Sequence, residues 1–297
     1  MKKFVIITDS CSDLERELRE KYEIDYVPMS FRCEGKEYVA DLDWKELSAP
    51  DFYDMMRKGK IFKTAQVNAN QYREAFEKYI ESGCDILSIS CSSGLSNSVN
   101  ESRKVANELK EKYPDSKIYC IDSLNSCYGL GLLCITASEL RKEGLSIEEV
   151  AEYIEKNKLK MNQECTVEKL TYLKNAGRVS ATSAFFGGLL SVKPIIISDV
   201  NGQNNAVEKV KGRKTSIMRI AERFAEEFEK NPYQKIYFAH ADSLKDVEEL
   251  KKAVLSKIDT SDIEIHTGYI GPIVGASAGP GTIAVYFFGK EVVIGKV

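Results

Sequence analysis

The stretch from Ile86 to Ser98 restricts the fold of this chain more than any other. It begins as an alternating apolar run, which is typical of a strand, and continues as a turn rich in Ser, Gly and Asn. Apolar residues then recur at spacings near three and four from Val99 to Leu109, as they do on one face of a helix. The pattern predicts a strand, a hydroxyl-rich turn and the start of a helix.

This turn has two interpretations. The first backbone N–H groups of a helix have no partner within the helix, and with the helix dipole they favour an anion. Ser92 and Ser93 would add hydroxyl donors there without adding charge. Alternatively, Ser93 or Ser96 caps the helix and binds nothing else. The stretch alone leaves both interpretations open.

Strands and helices alternate through residues 1–157. The apolar runs Phe4–Thr8 and Lys117–Ile121 predict two more strands, each followed by a polar turn and a helix. Such alternation is typical of an α/β fold with a mostly parallel sheet and helices on both faces. Ligands of these sheets bind beyond the carboxyl ends of the strands. We therefore expect a binding site at three hydroxyl-bearing turns, Thr8–Ser12, Ser92–Ser96 and Asp122–Ser126. Thr64 joins them if its extended segment packs nearby.

Two helix starts carry the capping-box pattern of a hydroxyl followed three residues later by Glu. These are Ser12 with Glu15 and Ser146 with Glu149. We expect a helix to begin at each.

The second half of the chain mixes hairpins with helices. Asn201-Gly202 between two apolar runs is a strong hairpin signal. Ser183–Leu190 predicts a tightly packed helix, Gly271–Gly281 predicts a Gly/Pro-rich loop around Ser277, and Thr282–Phe288 predicts the strand that closes the sheet. We expect an α+β domain at residues 160–297 after an α/β domain at residues 1–159.

Composition excludes several classes of protein. The net charge is −3, so the chain lacks the basic face of a nucleic-acid-binding protein. It has no run of 18 apolar residues, and its short apolar N-terminal run reads as a strand, so we expect a cytoplasmic protein without a membrane span. Eight cysteines without a C-x-x-C pair suit buried thiols in a reducing compartment. Two histidines supply neither a metal site nor a Ser-His-Asp triad, so we expect no metal, no cofactor and no catalytic residue.

Several stretches together resemble a known family. In this order and over nearly the whole chain, they are similar to the DegV family, and in particular to its fatty-acid-binding members, the lipid-carrying subunits of bacterial fatty acid kinase. The matching stretches are Thr8-Asp9-Ser10, Thr64-Ala65-Gln66, Ser92–Ser96, Asp122-Ser123, Leu170–Arg178, Lys193-Pro194-Ile195, Lys211-Gly212-Arg213 and Ile270-Gly271-Pro272 through Gly279-Pro280-Gly281.

The resemblance implies two α/β domains with one acyl chain buried between them. It implies a non-catalytic carrier that binds a long-chain fatty acid and presents the carboxylate to the ATP-binding subunit of fatty acid kinase, a dihydroxyacetone-kinase-like protein. A fatty acid suits the hydroxyl-rich turns, because a buried carboxylate must be hydrogen-bonded while each buried CH₂ contributes about 0.8 kcal/mol.

The resemblance also implies roles for single residues. The carboxylate-binding residues of the family map onto Thr64 and Ser93, and a family arginine near the head group maps onto Arg178. With Ser92, Ser96 and Ser277, these form the predicted ligand-binding set. Ser277 stands where family members commonly have His. This predicts that the chain binds a fatty acid but supports its phosphorylation poorly, or that it serves a related lipid instead. The predicted kinase-docking residues are Lys211, Arg213 and Lys214.

Other functions stay open on the sequence. One is a binding module for another small acid or lipid. Another is a phosphotransferase or hydrolase that uses the Ser-rich turns, although the chain has no phosphate-binding loop of the G-x-x-x-x-G-K-[ST] type and no obvious base. A transient contact with a membrane is a further alternative.

Overall fold

The computed structural model describes residues 2–179 and 192–295. Its strands are β1 (Phe4–Asp9), β2 (Ile24–Val27), β3 (Ser30–Cys33), β4 (Lys36–Val39), β5 (Lys63–Ala65), β6 (Asp85–Ser90), β7 (Ile118–Asp122), β8 (Met161–Thr166), β9 (Val192–Ser198), β10 (Asn204–Lys211), β11 (Lys235–His240), β12 (Glu264–Tyr269) and β13 (Ile283–Phe288). Its helices are α1 (Arg16–Tyr22), α2 (Ala49–Arg57), α3 (Ala69–Glu81), α4 (Ser98–Lys112), α5 (Cys127–Lys142), α6 (Ile147–Asn157), α7 (Thr171–Ala176), α8 (Arg213–Glu227), α9 (Leu244–Leu255) and α10 (Pro272–Ala278). The predicted α/β class is confirmed.

The first half forms a four-stranded sheet in the order β2-β1-β6-β7, with every pairing parallel. All six residues of β6 are buried, as expected for a central strand covered on both faces. Helix α3 packs on α4, α5 packs on α6, and both pairs contact the sheet. The predicted parallel sheet flanked by helices is therefore present.

The second sheet has six strands in the order β10-β9-β8-β13-β11-β12 and is mixed. β9 and β10 form the hairpin predicted from Asn201-Gly202, where Gly202 has a φ of 68°. β13 lies between β8 and β11, so the prediction that Thr282–Phe288 closes the sheet was wrong. β13 has a hydrogen-bonded neighbour on each edge, both antiparallel to it, and all six of its residues are buried.

Helix α5 lies between the two large sheets. It contacts β1 and β6 of the parallel sheet, and β8, β11 and β13 of the mixed sheet. The rings of Tyr128 and Tyr237 are 4.9 Å apart across this interface. Because partners surround α5, nearly its whole length is buried, which explains why its sequence is apolar all round.

A small antiparallel sheet in the order β4-β3-β5 lies beside the parallel sheet. The Glu34-Gly35 turn joins β3 to β4, and both turn residues have positive φ, at 51° and 82°. Phe31 of β3 packs against Phe52 and Phe62. The pairing of β5 with β3 fixes Thr64 opposite Phe31.

Two local predictions were wrong. Ser12 does not cap a helix: Ser10–Ser12 is a 3-10 turn capped by the Asp9 carboxylate, and α1 begins only at Arg16. The Gly/Pro-rich stretch predicted as a loop contains α10, because Pro272 is compatible with a first helical turn. The capping box at Ser146 is present, with Glu149 completing it. The helix predicted at Ser183–Leu190 lies outside the described residues.

Sheet membership changes once along the chain. Strands up to Asp122 belong to the parallel sheet or its small neighbour, and strands from Met161 onward belong to the mixed sheet. The division at residues 159 and 160 stays a prediction. Within the described ranges, no helix combines the length and apolar character needed to cross a bilayer.

Candidate ligand-binding site

A cavity of about 470 Å³ lies where the carboxyl ends of β1, β6 and β7 meet the mixed sheet. We call it the ligand pocket. Five of the six predicted ligand-binding residues line it: Thr64, Ser93, Ser96, Arg178 and Ser277. Apolar and sulfur-bearing side chains form much of the remaining wall, among them Met29, Val167, Leu173, Ile196, Ile270 and Ile273.

Asp9 at the end of β1 joins two of the turns that border the ligand pocket. Its carboxylate accepts hydrogen bonds from the Cys11 amide at 2.9 Å and from the Cys91 amide at 2.8 Å. Asp9 is fully buried, and this desolvation raises its pKa to about 6 even though the amides favour the charged form. Asp9 thereby sets the spacing of the turns after β1 and β6.

Asp122 at the end of β7 holds the next turn. Its Oδ1 accepts hydrogen bonds from the amides of Ser93 at 3.2 Å and Leu124 at 3.0 Å. The other amides of residues 92–96 are also used: they donate to the Asn125 carbonyl and to the oxygens of Ser92. The amides of residues 92–96 are therefore used within the protein, and the hydroxyls of this turn are what remains for a ligand.

Three hydroxyls lie at the mouth of the ligand pocket with unused hydrogen-bonding capacity. They belong to Thr64 on β5, Ser93 in the turn after β6, and Ser277 on α10. No residue in 2–179 or 192–295 hydrogen-bonds to any of these three hydroxyls. We call them the mouth hydroxyls. Each can donate to a ligand oxygen without carrying a charge.

Ser92 and Ser96 have other roles. The Ser92 hydroxyl is buried, donates to the Gly202 carbonyl at 2.7 Å and accepts from the Gly94 amide at 3.1 Å. Ser92 does not line the ligand pocket, because this contact turns it toward the β9–β10 hairpin. Ser96 lines the pocket, but its hydroxyl accepts from the Ser98 amide at 3.3 Å. The N-cap of α4 is Asn97, whose side chain makes no capping hydrogen bond, so neither Ser93 nor Ser96 is the N-cap. Ser96 contacts the first helical amide from the position before the cap.

Arg178 lies at the edge of the ligand pocket and is exposed. It follows Gly177, whose left-handed backbone, with a φ of 66°, ends α7. The guanidinium donates to the carbonyl of Leu95 at 3.2 Å and to that of Ala176. These bonds fix the Arg178 side chain against the Ser-rich turn while it carries its positive charge.

The predicted docking residues differ in what they contact. Lys211 ends β10 and Lys214 lies in the first turn of α8, and both are exposed. The Arg213 side chain is instead partly buried, at 18% exposed: its Nε lies 2.9 Å from an Asp246 oxygen, and its Nη2 donates to the Gly281 carbonyl at 2.6 Å. Arg213 therefore ties α8 to the turn after α10.

The sequence patterns missed the sulfur-bearing wall of the ligand pocket. Cys11, Cys91 and Cys165 line it, and the Cys11 sulfur lies 3.7 Å from the Met29 sulfur. Burial raises the pKa of Cys165 to about 12, so this thiol is neutral at pH 7 and behaves as an apolar group. The signal in the sequence was the position of Cys11 and Cys91, each just beyond the end of a strand. In the described ranges, no cluster of three or more His, Cys, Asp or Glu residues is arranged to hold a metal ion.

Known proteins share this architecture. The family model described as "Uncharacterised protein, DegV family COG1307" matches residues 3–290. A DegV domain-containing protein of Clostridium perfringens is 38% identical over 289 residues, which cover 97% of this chain and 98% of that protein.

Two solved structures extend the likeness to three dimensions. "Fatty Acid Binding of a DegV family Protein from Thermus thermophilus" is 26% identical with a TM-score of 0.86, and covers 98% of this chain and 100% of that chain. A DegV lipid binding protein from Thermotoga maritima is 25% identical with a TM-score of 0.84 over the same shares of the two chains. Together with the family model, these matches identify the chain as a member of the DegV family.

Proposed function

We propose that this protein binds one long-chain fatty acid in the ligand pocket and takes no catalytic step itself. The observation that carries the proposal is the convergence of three hydroxyls, those of Thr64, Ser93 and Ser277, on a cavity whose wall includes a set of apolar side chains and thiols. These hydroxyls have no hydrogen-bond partner among the described residues. The carboxylate would accept hydrogen bonds from these hydroxyls, and the acyl chain would lie against the apolar wall.

The energetics suit such a ligand. Burying the chain contributes about 0.8 kcal/mol per CH₂, so a dozen methylenes supply most of the binding energy. Burying the carboxylate is costly unless it is hydrogen-bonded, and the mouth hydroxyls meet that need. Arg178 adds a positive charge at the edge of the pocket without a buried ion pair. The fatty acid and lipid binding stated for the Thermus and Thermotoga proteins supports the same ligand class.

The proposed site draws on both halves of the chain. Cys11, Thr64 and Ser93 come from residues 1–159, while Arg178 and Ser277 come from residues 160–297. We infer that these two segments are the two domains and that the acyl chain lies between them. Eight unpaired cysteines support a reducing compartment, and we place the protein in the cytoplasm.

Extraction of the ligand from the purified protein tests the proposal. Mass spectrometry should identify a long-chain acid near one equivalent per chain, and the stripped protein should bind a fluorescent fatty acid. A polar ligand, or another lipid with no affinity for fatty acids, would contradict the proposal and favour a binding module for a different small acid or lipid.

We further propose that the bound acid is presented to the ATP-binding subunit of a fatty acid kinase. Lys211 and Lys214 are the exposed cations of the predicted docking segment, whereas Arg213 supports that segment through Asp246. The doubly substituted variant Lys211→Glu/Lys214→Glu should associate at least fivefold more slowly with an acidic partner at low salt, because rim charges act mainly on association rate.

Fatty-acid affinity should stay unchanged in that variant. Reversal of Lys257, an exposed lysine just beyond the end of α9, is the matched control. A normal association rate in the double variant would rule out this docking segment.

A further inference from the structure

Three sulfur atoms converge in the wall of the ligand pocket. The Cys11 Sγ lies 3.7 Å from the Met29 Sδ. The Cys91 thiol also approaches the Cys11 thiol, and this contact is the largest cause of a Cys11 pKa well above its usual range. All three side chains line the ligand pocket, and these residues are only 2–3% exposed. We call them the sulfur cluster: Cys11, Met29 and Cys91.

The backbone of the sulfur cluster is fixed by two adjacent side chains at the end of β1. Asp9 accepts hydrogen bonds from the amides of Cys11 at 2.9 Å and Cys91 at 2.8 Å. The Ser10 hydroxyl accepts one from the amide of Met29 at 2.9 Å. Outer hydrogen bonds of this kind hold the ligands of a metal site in place before the ion arrives. The cluster therefore has the support that a preformed site requires.

The spacing of the sulfurs suits one shared ion. Two sulfurs that each bind an ion at about 2.3 Å, the usual distance for a thiolate on a metal, lie about 3.8 Å apart when the angle at the ion is tetrahedral. The sulfurs of Cys11 and Met29 are 3.7 Å apart. An ion can therefore bind both of them without separating the turn after β1 from the segment before β3.

The donor atoms decide which ion is suitable. The cluster offers two thiols and a thioether, and in the described part of the chain no His, Asp or Glu joins the two cysteines in a set that could hold a metal ion. Thiol and thioether sulfur together select Cu(I), whereas Mg²⁺ and Ca²⁺ require oxygen ligands. Zn²⁺ sites in proteins almost always have four ligands, one more than the cluster provides.

Charge favours the same ion. The site is buried, and an uncompensated charge in such a place is costly. A Cu(I) ion bound to one thiolate, one thiol and one thioether is neutral as a unit. Binding breaks one S–H bond, forms a copper–sulfur bond and releases one proton to solvent, and the copper stays Cu(I) throughout.

We propose that the sulfur cluster is a Cu(I) site, in which Cys11, Cys91 and Met29 are the ligands. The inference goes beyond the proposed function and does not depend on the identity of the acyl ligand. Because the three sulfurs line the ligand pocket, the ion reaches them through the pocket and, once bound, forms part of its wall.

The test is a Cu(I) titration of reduced protein stripped of lipid and metal, made without oxygen and in competition with bicinchoninate, a chelator that is coloured when it holds Cu(I). The wild type should withdraw one equivalent of Cu(I) from the chelator. Met29→Leu preserves the side-chain volume and should bind Cu(I) at least tenfold more weakly. Cys11→Ser/Cys91→Ser should leave the chelator fully loaded. X-ray absorption of the wild-type complex should show sulfur neighbours at about 2.3 Å.

Cys84→Ser is the matched control. It removes a thiol that is more exposed than those of the cluster and does not line the ligand pocket, so Cu(I) binding should equal that of the wild type. Equal losses in Cys84→Ser and the cluster variants would show adventitious binding by thiols and overturn the proposal. Wild-type affinity in Met29→Leu, nitrogen or oxygen neighbours around the copper, or a wild type that withdraws no copper would also overturn it.

Discussion

Hydroxyl groups serve different purposes in two regions of the molecule: at the mouth of the ligand pocket and between the two large sheets. At the mouth, the hydroxyls of Thr64, Ser93 and Ser277 have no partner in the part of the chain that the structure describes. Between the sheets, Ser92 donates to the Gly202 carbonyl at 2.7 Å, and Ser198 donates to the Leu124 carbonyl at 2.8 Å. We call the second pair the inter-sheet hydroxyls. Unused hydrogen-bonding capacity, and not residue type, separates a ligand-binding hydroxyl from a structural one.

The comparison is sharpest at two adjacent residues. Ser92 is fully buried and its hydroxyl both donates and accepts a hydrogen bond, whereas Ser93 is exposed and its hydroxyl has no partner among the described residues. Because the Ser93 amide is bound to Asp122, its side chain is held at the pocket and only its hydroxyl can serve a ligand. The same turn therefore stabilises the fold through one serine and offers a binding group through the next.

The largest expected change in the free energy of unfolding comes from disturbing the inter-sheet hydroxyl of Ser92. Gly202 has a φ of 68°, and a Cβ there would lie 1.9 Å from the Ser92 oxygen. Gly202→Ala should lower the free energy of unfolding by about 3 kcal/mol or more, because it adds left-handed strain and breaks a buried hydrogen bond. Urea unfolding measures this change.

Gly35→Ala is the matched control for that substitution. Gly35 also has a positive φ, at 82°, but a Cβ there meets nothing within 4 Å. The control should cost about 1 kcal/mol, the strain alone. Equal losses in the two variants would mean that the inter-sheet contact adds nothing to stability.

The buried carboxylate of Asp13 should respond to pH, unlike either set of hydroxyls. Asp13 is 4% exposed; the Gly271 amide and the Cys127 thiol approach its carboxylate, but neither contact has the geometry of a full hydrogen bond. Burial raises its pKa to about 7, against about 3.9 when unfolded. Between those values the folded chain holds a proton that the unfolded chain releases, so stability falls as pH rises through this window.

Asp13→Asn removes that ionisation, and Asn tolerates the left-handed φ of 52° at this position. The variant should be more stable than the wild type by on the order of 2 kcal/mol at pH 8, with little difference at pH 4. Urea unfolding at several pH values measures this. Asp262→Asn, at an exposed residue, should leave the pH profile nearly unchanged. A profile for Asp13→Asn that runs parallel to the wild type would refute the assignment.

The sequence patterns anticipated local structure well where it depends on neighbours in the chain. The parallel strands, the hairpin at Asn201-Gly202 and the capping box at Ser146 all follow from short-range signals. The position of α5 between two sheets followed from no local pattern, although its all-round apolar character was visible. The helix over Pro272–Ala278 was missed because glycine and proline are read as loop residues when their packing is unknown.

In the ligand-binding site too, short-range motifs were predictable from the sequence and long-range contacts were not. Thr64, Ser93 and Ser277 were named from motifs and lie together at one pocket. Their separation from Ser92 could not be predicted, because the partner of Ser92 lies 110 residues away in sequence. Arg213 was expected on an exposed surface for the same reason: its partners Asp246 and Gly281 are distant along the chain. Side-chain roles set by such long-range contacts require the fold.

The most direct test measures fatty-acid affinity and the free energy of unfolding together for Ser92→Ala and Ser93→Ala. Ser93→Ala should weaken fatty-acid binding about tenfold or more and change the free energy of unfolding by less than about 0.5 kcal/mol. Ser92→Ala should lower the free energy of unfolding by about 1–3 kcal/mol, because it leaves the buried Gly202 carbonyl without its donor, and should affect affinity far less. Unchanged affinity in Ser93→Ala, or the same pattern of losses in both variants, would contradict the account.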